Sequence, residues 1–214
     1  MRVGIAGYGV VGKTRHRSIE SNTSYQVTAI SESSENARKS IPEGIDIYYD
    51  YKTLIASAEL DVIFISLPNQ FAAEAACLSL QNGLHVFCEK PPARTHAELL
   101  QVEKQSLKFP ELKLMYGFNH RFHLSVEEAK LLIDSNSLGR LINMKGVYGK
   151  SQMISFNQTD WRTDREASGG GILLDQGIHM LDLMRYLSGE NFTDVFSIID
   201  NAFWNFDVED NAYV

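Results

Sequence analysis

With 214 residues, 44% of them hydrophobic, the chain has enough apolar material for one large domain or two small ones with a real core. Lys and Arg number 20 against 27 Asp and Glu, a formal net charge of -7, which leaves no cationic footprint for nucleic acid or an anionic membrane and points to a small-molecule or protein partner. No apolar run approaches the roughly 20 residues of a spanning helix, and glycines interrupt the apolar start before any cleavage signal, so a soluble, cytoplasmic protein is expected.

From the first residue to about Tyr116, short apolar runs alternate with longer segments of helical period, the pattern of a parallel sheet with crossover helices. Strands are predicted at Arg2–Ala6, Gln26–Ser31, Val62–Leu67, His85–Cys88 and Leu112–Tyr116, with a shorter one at Ile47–Tyr49. Helices are predicted at Val11–Glu20, Ser34–Ser40, Thr53–Ala58, Ala72–Asn82, with Gly83 as its stop, and Thr95–Lys108. After Phe118 the pattern changes. A helix at Ser125–Ser135 precedes "LINMKGVYGKSQ", which alternates as an antiparallel strand would, and "ILLDQGIHMLDLMRYL" has a strong helical period. Phe192–Asn201 and Ala212–Val214 read as strands of a second sheet. The expectation is an α/β chain with a doubly wound Rossmann domain over residues 1–118 and an α/β domain with an open, mainly antiparallel sheet over 119–214. The chain stops inside an apparent strand, so the second domain is read as incomplete. Cys77 and Cys88 lack metal-ligand spacing and read as reduced core thiols.

The first strand runs into "GYGVVG", where Gly7, Gly9 and Gly12 form G-x-G-x-x-G at the opening of a helix. The first glycine suits a tight turn, the second lets a pyrophosphate approach the backbone, and the third lets helix and strand pack closely. Tyr8, Val10 and Val11 complete the loop, and Glu32 ends the second strand at the place where a carboxylate holds a ribose hydroxyl. Without a ligand, the same residues would be a glycine-rich turn. Glu32 favours NAD over NADP, although Ser33, Ser34 and Arg38 nearby offer a phosphate site.

Leu67, Pro68 and Asn69 close the strand at Val62–Leu67, and Glu89 with Lys90 close the next, at the edge where ligands bind in open parallel sheets. Each is equally an ordinary turn, but a lysine there could exchange a proton with a substrate hydroxyl. Asp175 and His179 lie four apart on an otherwise apolar helix, with Asp182 further along. They form a satisfied core pair or cap, or a proton-transfer pair in which Asp175 fixes the tautomer of His179; metal ligation lacks further residues of suitable spacing. Asn119, His120 and Arg121 in "GFNHRF", with Trp161 and Arg162, complete the candidates, though either arginine could be a surface ion pair.

In this order, "GYGVVG", "SLPNQ", "CEKPPA", "GFNHRF" and "GGGILLDQGIHMLDL" resemble the Gfo/Idh/MocA family of nicotinamide-dependent oxidoreductases over nearly the whole chain. The E-K-P segment and the D-x-G-x-H-x-x-D helix are its more specific signatures. The resemblance implies a dinucleotide-binding domain followed by an α/β domain whose open sheet forms a homo-oligomer interface. It also implies that Lys90 and His179 flank the substrate carbon with Asp175 beside them, and that Glu89 positions Lys90. The expected activity is reversible oxidation of a secondary alcohol on a sugar, cyclitol or nucleotide-sugar, with Arg121 and Arg162 gripping the substrate. An NAD-using glycosidase and a non-catalytic dinucleotide or sugar sensor are the alternatives. The chain departs from the family in length and in lacking the histidine often found after the proline-asparagine pair, where Ala72 stands.

Overall fold

A computed structural model describes residues 1–149 and 161–214, which divide into two compact units, Met1–Gly117 and Phe118–Val214. The first unit holds six parallel strands, β1 (Arg2–Ala6), β2 (Gln26–Ser31), β3 (Asp46–Tyr48), β4 (Val62–Ile65), β5 (His85–Cys88) and β6 (Leu114–Tyr116), in the order β3-β2-β1-β4-β5-β6. This is the doubly wound arrangement, and its switch point, where the winding reverses, lies between β1 and β4. Apolar runs form these strands because both faces are covered: four of the five β1 residues are buried.

Helices α1 (Val10–Glu20), α2 (Glu35–Arg38), α3 (Tyr51–Ser57), α4 (Asn69–Gln81) and α5 (His96–Ser106) connect the strands. One face packs Ile5, Ile30 and Val3 against Ile19 of α1; the other packs Ile63, Ile65 and Val86 against Leu54 of α3, Ala76 and Leu80 of α4 and Val102 of α5. The helix starts are chemical. The side chains of Ser34, Asp50 and Thr95 accept from the backbone N–H groups of Ala37, Thr53 and Glu98 respectively. Gly83, at φ +76, ends α4 in the left-handed region as expected.

In the second unit, a 3-10 turn (Asn119–Phe122) leads into α6 (Leu124–Asp134); after a second 3-10 turn (Trp161–Thr163) come α7 (Arg165–Ser168), a π-helical turn (Leu173–Gly177) and α8 (Ile178–Ser188). β7 (Ile198–Asp200) and β8 (Asn211–Tyr213) pair antiparallel.

Several expectations need correction. β4 ends at Ile65, and α4 begins at Asn69 rather than Ala72, because Pro68 caps the helix and Asn69 enters its first turn. The strand expected at Phe192–Asn201 shrinks to the three residues that face β8. Residues 141–149 of the alternating segment are in no strand, and 150–152 lie outside the described residues. A ladder needs a hydrogen-bonded neighbour, and no described strand pairs with 141–149. The segment instead lies against α8, where a side chain at Gly146 would meet Met180 Sδ and Met184 Cε at 3.2 Å. No described helix is long and apolar enough to cross a membrane. Cys77 and Cys88 are free thiols, and burial raises the pKa of both.

Candidate functional site

The glycine-rich loop follows β1 at the switch point, and each glycine has its own reason. Gly7 sits at φ +88, and a Cβ there would lie 2.6 Å from the Ser66 carbonyl oxygen, so any side chain would drive the loop off the end of β4. Gly12 is held so tightly against the Gly7 carbonyl oxygen that a Cβ has no room at all. Gly9 is the opposite: a Cβ would meet nothing within 4 Å, so its backbone faces open space at the start of α1. An anion can approach such a surface closely, where helix N–H groups await partners. Val10 and Val11 are exposed beside it.

Glu32, just beyond β2, is fixed by the backbone. Tyr8 N–H donates to Oε2 at 2.9 Å and Ser34 N–H to Oε1 at 2.8 Å, which holds the carboxylate directly against the loop with lone pairs on both oxygens left for further donors. Arg38 Nη1 donates to the carbonyl oxygens of Glu32 and Ser33 at 2.9 and 2.6 Å, its guanidinium lies 4.5 Å from the Tyr49 ring centroid, and the Ser34 hydroxyl caps α2. The groups that sequence offered for a 2′-phosphate therefore already hold the β2 end in shape.

Leu67, Pro68 and Asn69 lie beyond the carboxyl end of β4, with Asn69 buried in the first turn of α4. Glu89 and Lys90 follow β5, and Pro91, joined to Lys90 by a cis peptide, is buried behind them. The Glu89 carboxylate is taken by a residue sequence reasoning missed: Arg15 Nε, on α1, donates to Oε1 at 2.5 Å, and its guanidinium lies 4.9 Å from the Phe87 ring centroid. Glu89 also packs against Gly117, where a Cβ would come within 2.7 Å of Oε2. The E-K-P turn is thus tied to the helix that starts at the glycine loop.

In the second unit His179 is buried on the first turn of α8, and its ring stacks on His120 with centroids 4.1 Å apart and planes at 15°. Phe118 meets the same imidazole edge-on at 6.1 Å, and Tyr148 stacks on His120 at 5.7 Å. This aromatic column places a group able to take or give a proton in a defined orientation. Asp175 lies one turn earlier, in the π-helical stretch, where Oδ2 accepts from Gln176 Nε2 at 2.7 Å. The extra residue of that turn rotates Asp175 relative to the register a continuous α-helix would give it.

Arg121 reads from sequence as a substrate contact or an ion pair. Its guanidinium forms a fork with the Asp182 carboxylate, between the rings of Phe118 and Tyr186, and this hydrogen bonding raises its pKa further. The geometry joins the 3-10 turn to α8. Asn119 is exposed beside it, and Arg162 lies over the Trp161 ring at 4.4 Å in the second 3-10 turn. Among the described residues no group of three or more His, Cys, Asp or Glu is arranged to hold a metal ion.

A second missed residue is Glu209. Buried, it accepts from Gly171 N–H at 2.9 Å and Leu173 N–H at 3.3 Å through Oε1, while its own carbonyl accepts from Ile172 N–H at 2.9 Å. Gly171 is glycine because a Cβ would overlap the Glu209 backbone. A carboxylate at this end satisfies orphan amides and opposes the helix dipole ahead of Asp175 and His179. Glu209→Ala, which leaves those amides unsatisfied in the interior, should lower stability by about 2 kcal/mol, read as a shift of the urea midpoint with an unchanged slope; Glu209→Gln, which keeps an acceptor, should lose less.

Family models match both units. Residues 1–116 match the family model described as "Oxidoreductase family, NAD-binding Rossmann fold", and residues 126–214 match the "GFO/IDH/MocA C-terminal domain". The chain belongs to the Gfo/Idh/MocA oxidoreductase family. Its first unit is the family's NAD-binding Rossmann domain. Among curated Gfo/Idh/MocA relatives, a levoglucosan dehydrogenase of Pseudarthrobacter phenanthrenivorans is 32% identical over 66% of this chain and 36% of its own length. D-glucoside 3-dehydrogenase of Escherichia coli is 29% identical over 95% of this chain and 58% of its own length. A solved levoglucosan dehydrogenase, in complex with NADH and levoglucosan, superposes with a TM-score of 0.89 at 26% identity, covering 99% of this chain and 62% of that one. The chain therefore spans less than two thirds of these Gfo/Idh/MocA relatives.

Proposed function

We propose that this chain carries an NAD-dependent dehydrogenase that oxidises or reduces a secondary alcohol or ketone on a sugar, cyclitol or nucleotide-sugar. The observation that carries the reading is the cradle at the switch point: an open Gly9 backbone at a helix start, beside a Glu32 carboxylate that two amides hold in place. The relatives named for levoglucosan and glucoside dehydrogenation support the substrate class. Gly7, Tyr8, Gly9, Val10, Val11 and Gly12 would hold the pyrophosphate, Glu32 the adenosine ribose, and Leu67, Pro68, Asn69 and Glu89 the nicotinamide half. Bound NAD supplies the hydride acceptor. Lys90 takes the hydroxyl proton of the substrate, His179 with Asp175 is the second proton-handling group, and Asn119, Trp161 and Arg162 contact the sugar. Arg121 acts through its fork to Asp182 by fixing the turn that bears Asn119 and His120. NAD is preferred to NADP because a 2′-phosphate would meet a fixed carboxylate. We also infer a homo-oligomer through the second sheet, supported by the exposed Ile198 and Ile199 of β7.

Calorimetric titration with NAD(H) and NADP(H) tests the reading. NAD(H) should bind preferentially, and Glu32→Ala should weaken it by about 2 kcal/mol, roughly thirtyfold. Equal affinity for both dinucleotides, or a variant that binds NAD(H) as the parent does, would overturn the cofactor assignment.

A further inference from the structure

The second residue of the glycine motif carries a large side chain that no backbone-binding loop requires. Tyr8 turns inward, 4% exposed, into the core cluster of Val3, Ile5, Ile19, Val27, Ile30 and Val62. A phenol in such a place needs a hydrogen-bond partner. It finds one in His16, itself 3% exposed, whose Nδ1 lies 2.6 Å from the hydroxyl oxygen. His16 Nε2 lies 3.2 Å from Oε1 of Glu20 at the end of α1. With the ring proton on Nε2, toward the carboxylate, Nδ1 is left to accept from the phenol. Burial, and then the charge of Glu20, raise the Tyr8 pKa, so the hydroxyl keeps its proton and remains the donor. The same residue's N–H donates to Glu32, and the neighbouring Gly7 N–H donates to the Ser31 carbonyl at 2.9 Å.

We propose that Tyr8, His16 and Glu20 form a positioning relay that fixes the glycine-rich loop from beneath, presetting the Gly9 backbone for a pyrophosphate; this rests on the NAD reading above. The relay anchors the loop to the second and third turns of α1. The Gly7 turn and the Tyr8 amide anchor it to β2. Held at both ends, the loop need not be ordered when the ligand binds, and that saved ordering appears as affinity. The relay acts through side chains that face the core, the Tyr8 phenol and the His16 ring, so whatever the Tyr8 backbone contributes to the pyrophosphate site is left in place by the variants below.

Two probes separate this role from simple stabilisation. NAD+ reports the loop and the ribose site together, whereas adenosine has no phosphate and reports the ribose site alone. Tyr8→Phe and His16→Leu should each weaken NAD+ binding about tenfold by calorimetry, with adenosine binding unchanged. The double variant should lose no more than either single one, because both break the same bond. Should Tyr8→Phe not fold, Glu20→Gln at the exposed end tests the relay, with a smaller loss of NAD+ affinity in the same direction. Unchanged NAD+ affinity, with or without a fall in melting temperature, would make the chain of bonds structural only and overturn the proposal. Equal losses for NAD+ and adenosine would do so too, by moving the effect to Glu32. A parent chain that binds neither probe would overturn the NAD reading itself.

Discussion

Gly12→Ala should abolish measurable NAD(H) binding and lower the unfolding midpoint of the first unit by about 10 °C, corresponding to a loss of about 2 to 3 kcal/mol. The added carbon would fall on the Gly7 carbonyl oxygen, 3.1 Å from its carbonyl carbon and 3.6 Å from Ile5 Cγ2, and the first two belong to backbone that no rotamer change can clear. α1 must slide or the Gly7 turn must open, and either movement disturbs the loop that faces the ligand. Gly9→Ala separates the two effects. Its Cβ points into open space, so the fold should keep its midpoint while the methyl group occupies the approach to the backbone. Thermal unfolding and calorimetry on the two variants therefore give a crossed result: Gly12→Ala loses both stability and binding, Gly9→Ala loses binding alone. Parent-like binding by Gly9→Ala would show that the ligand does not approach this backbone.

What could be read from the sequence follows from which constraints are local. β1, β2 and β5 appear at their expected boundaries because each carries a short run of buried apolar residues, Val27, Ala29 and Ile30 in β2 and Val86 and Cys88 in β5, and Gly83 marks a helix end because its left-handed conformation is a property of one residue. The three glycines and Glu32 were legible for the same reason, their spacing being set by one strand-turn-helix unit. Residues 141–149 misled because alternation of apolar and polar residues does not supply the neighbouring strand a ladder needs; Ile142 and Val147 stay exposed, and the segment approaches α8 at Gly146.

The pairings that shape the site were not legible. Arg15 and Glu89 are 74 positions apart, and Glu209 lies 38 positions after the Gly171 amide it accepts from. No periodicity links such residues; only the fold brings α1 to the E-K-P turn and the segment before β8 to the glycines ahead of α8. Tyr8 and His16 were nearer to hand, eight positions apart on a turn and its following helix, but the sequence offered no sign that the tyrosine faces inward. Arg121 reads as a substrate contact or an ion pair, and no spacing names the partner that the fold supplies, Asp182 in the other signature, 61 positions away.

Lys90→Met should lower kcat on the preferred sugar or cyclitol by a factor of about 10² to 10⁴, the range expected when a proton-transfer group is removed, while NAD+ affinity measured by calorimetry changes little. The turn that bears Lys90 has anchors other than the lysine: Arg15 grips Glu89, Glu89 packs on Gly117, and Pro91 is buried. Methionine keeps the length and apolar stem of the side chain and removes the charge and the exchangeable proton, so the loss should fall on the chemical step and not on the fold. Substrate oxidation would be followed as NADH appearance across a panel of glucosides, anhydrosugars and inositols, with the parent chain defining the substrate. A variant that turns over at the parental rate would remove Lys90 from the chemistry. If NAD+ affinity fell with kcat, the lysine would be holding the dinucleotide instead, and His179 would become the group whose removal should cost the proton transfer.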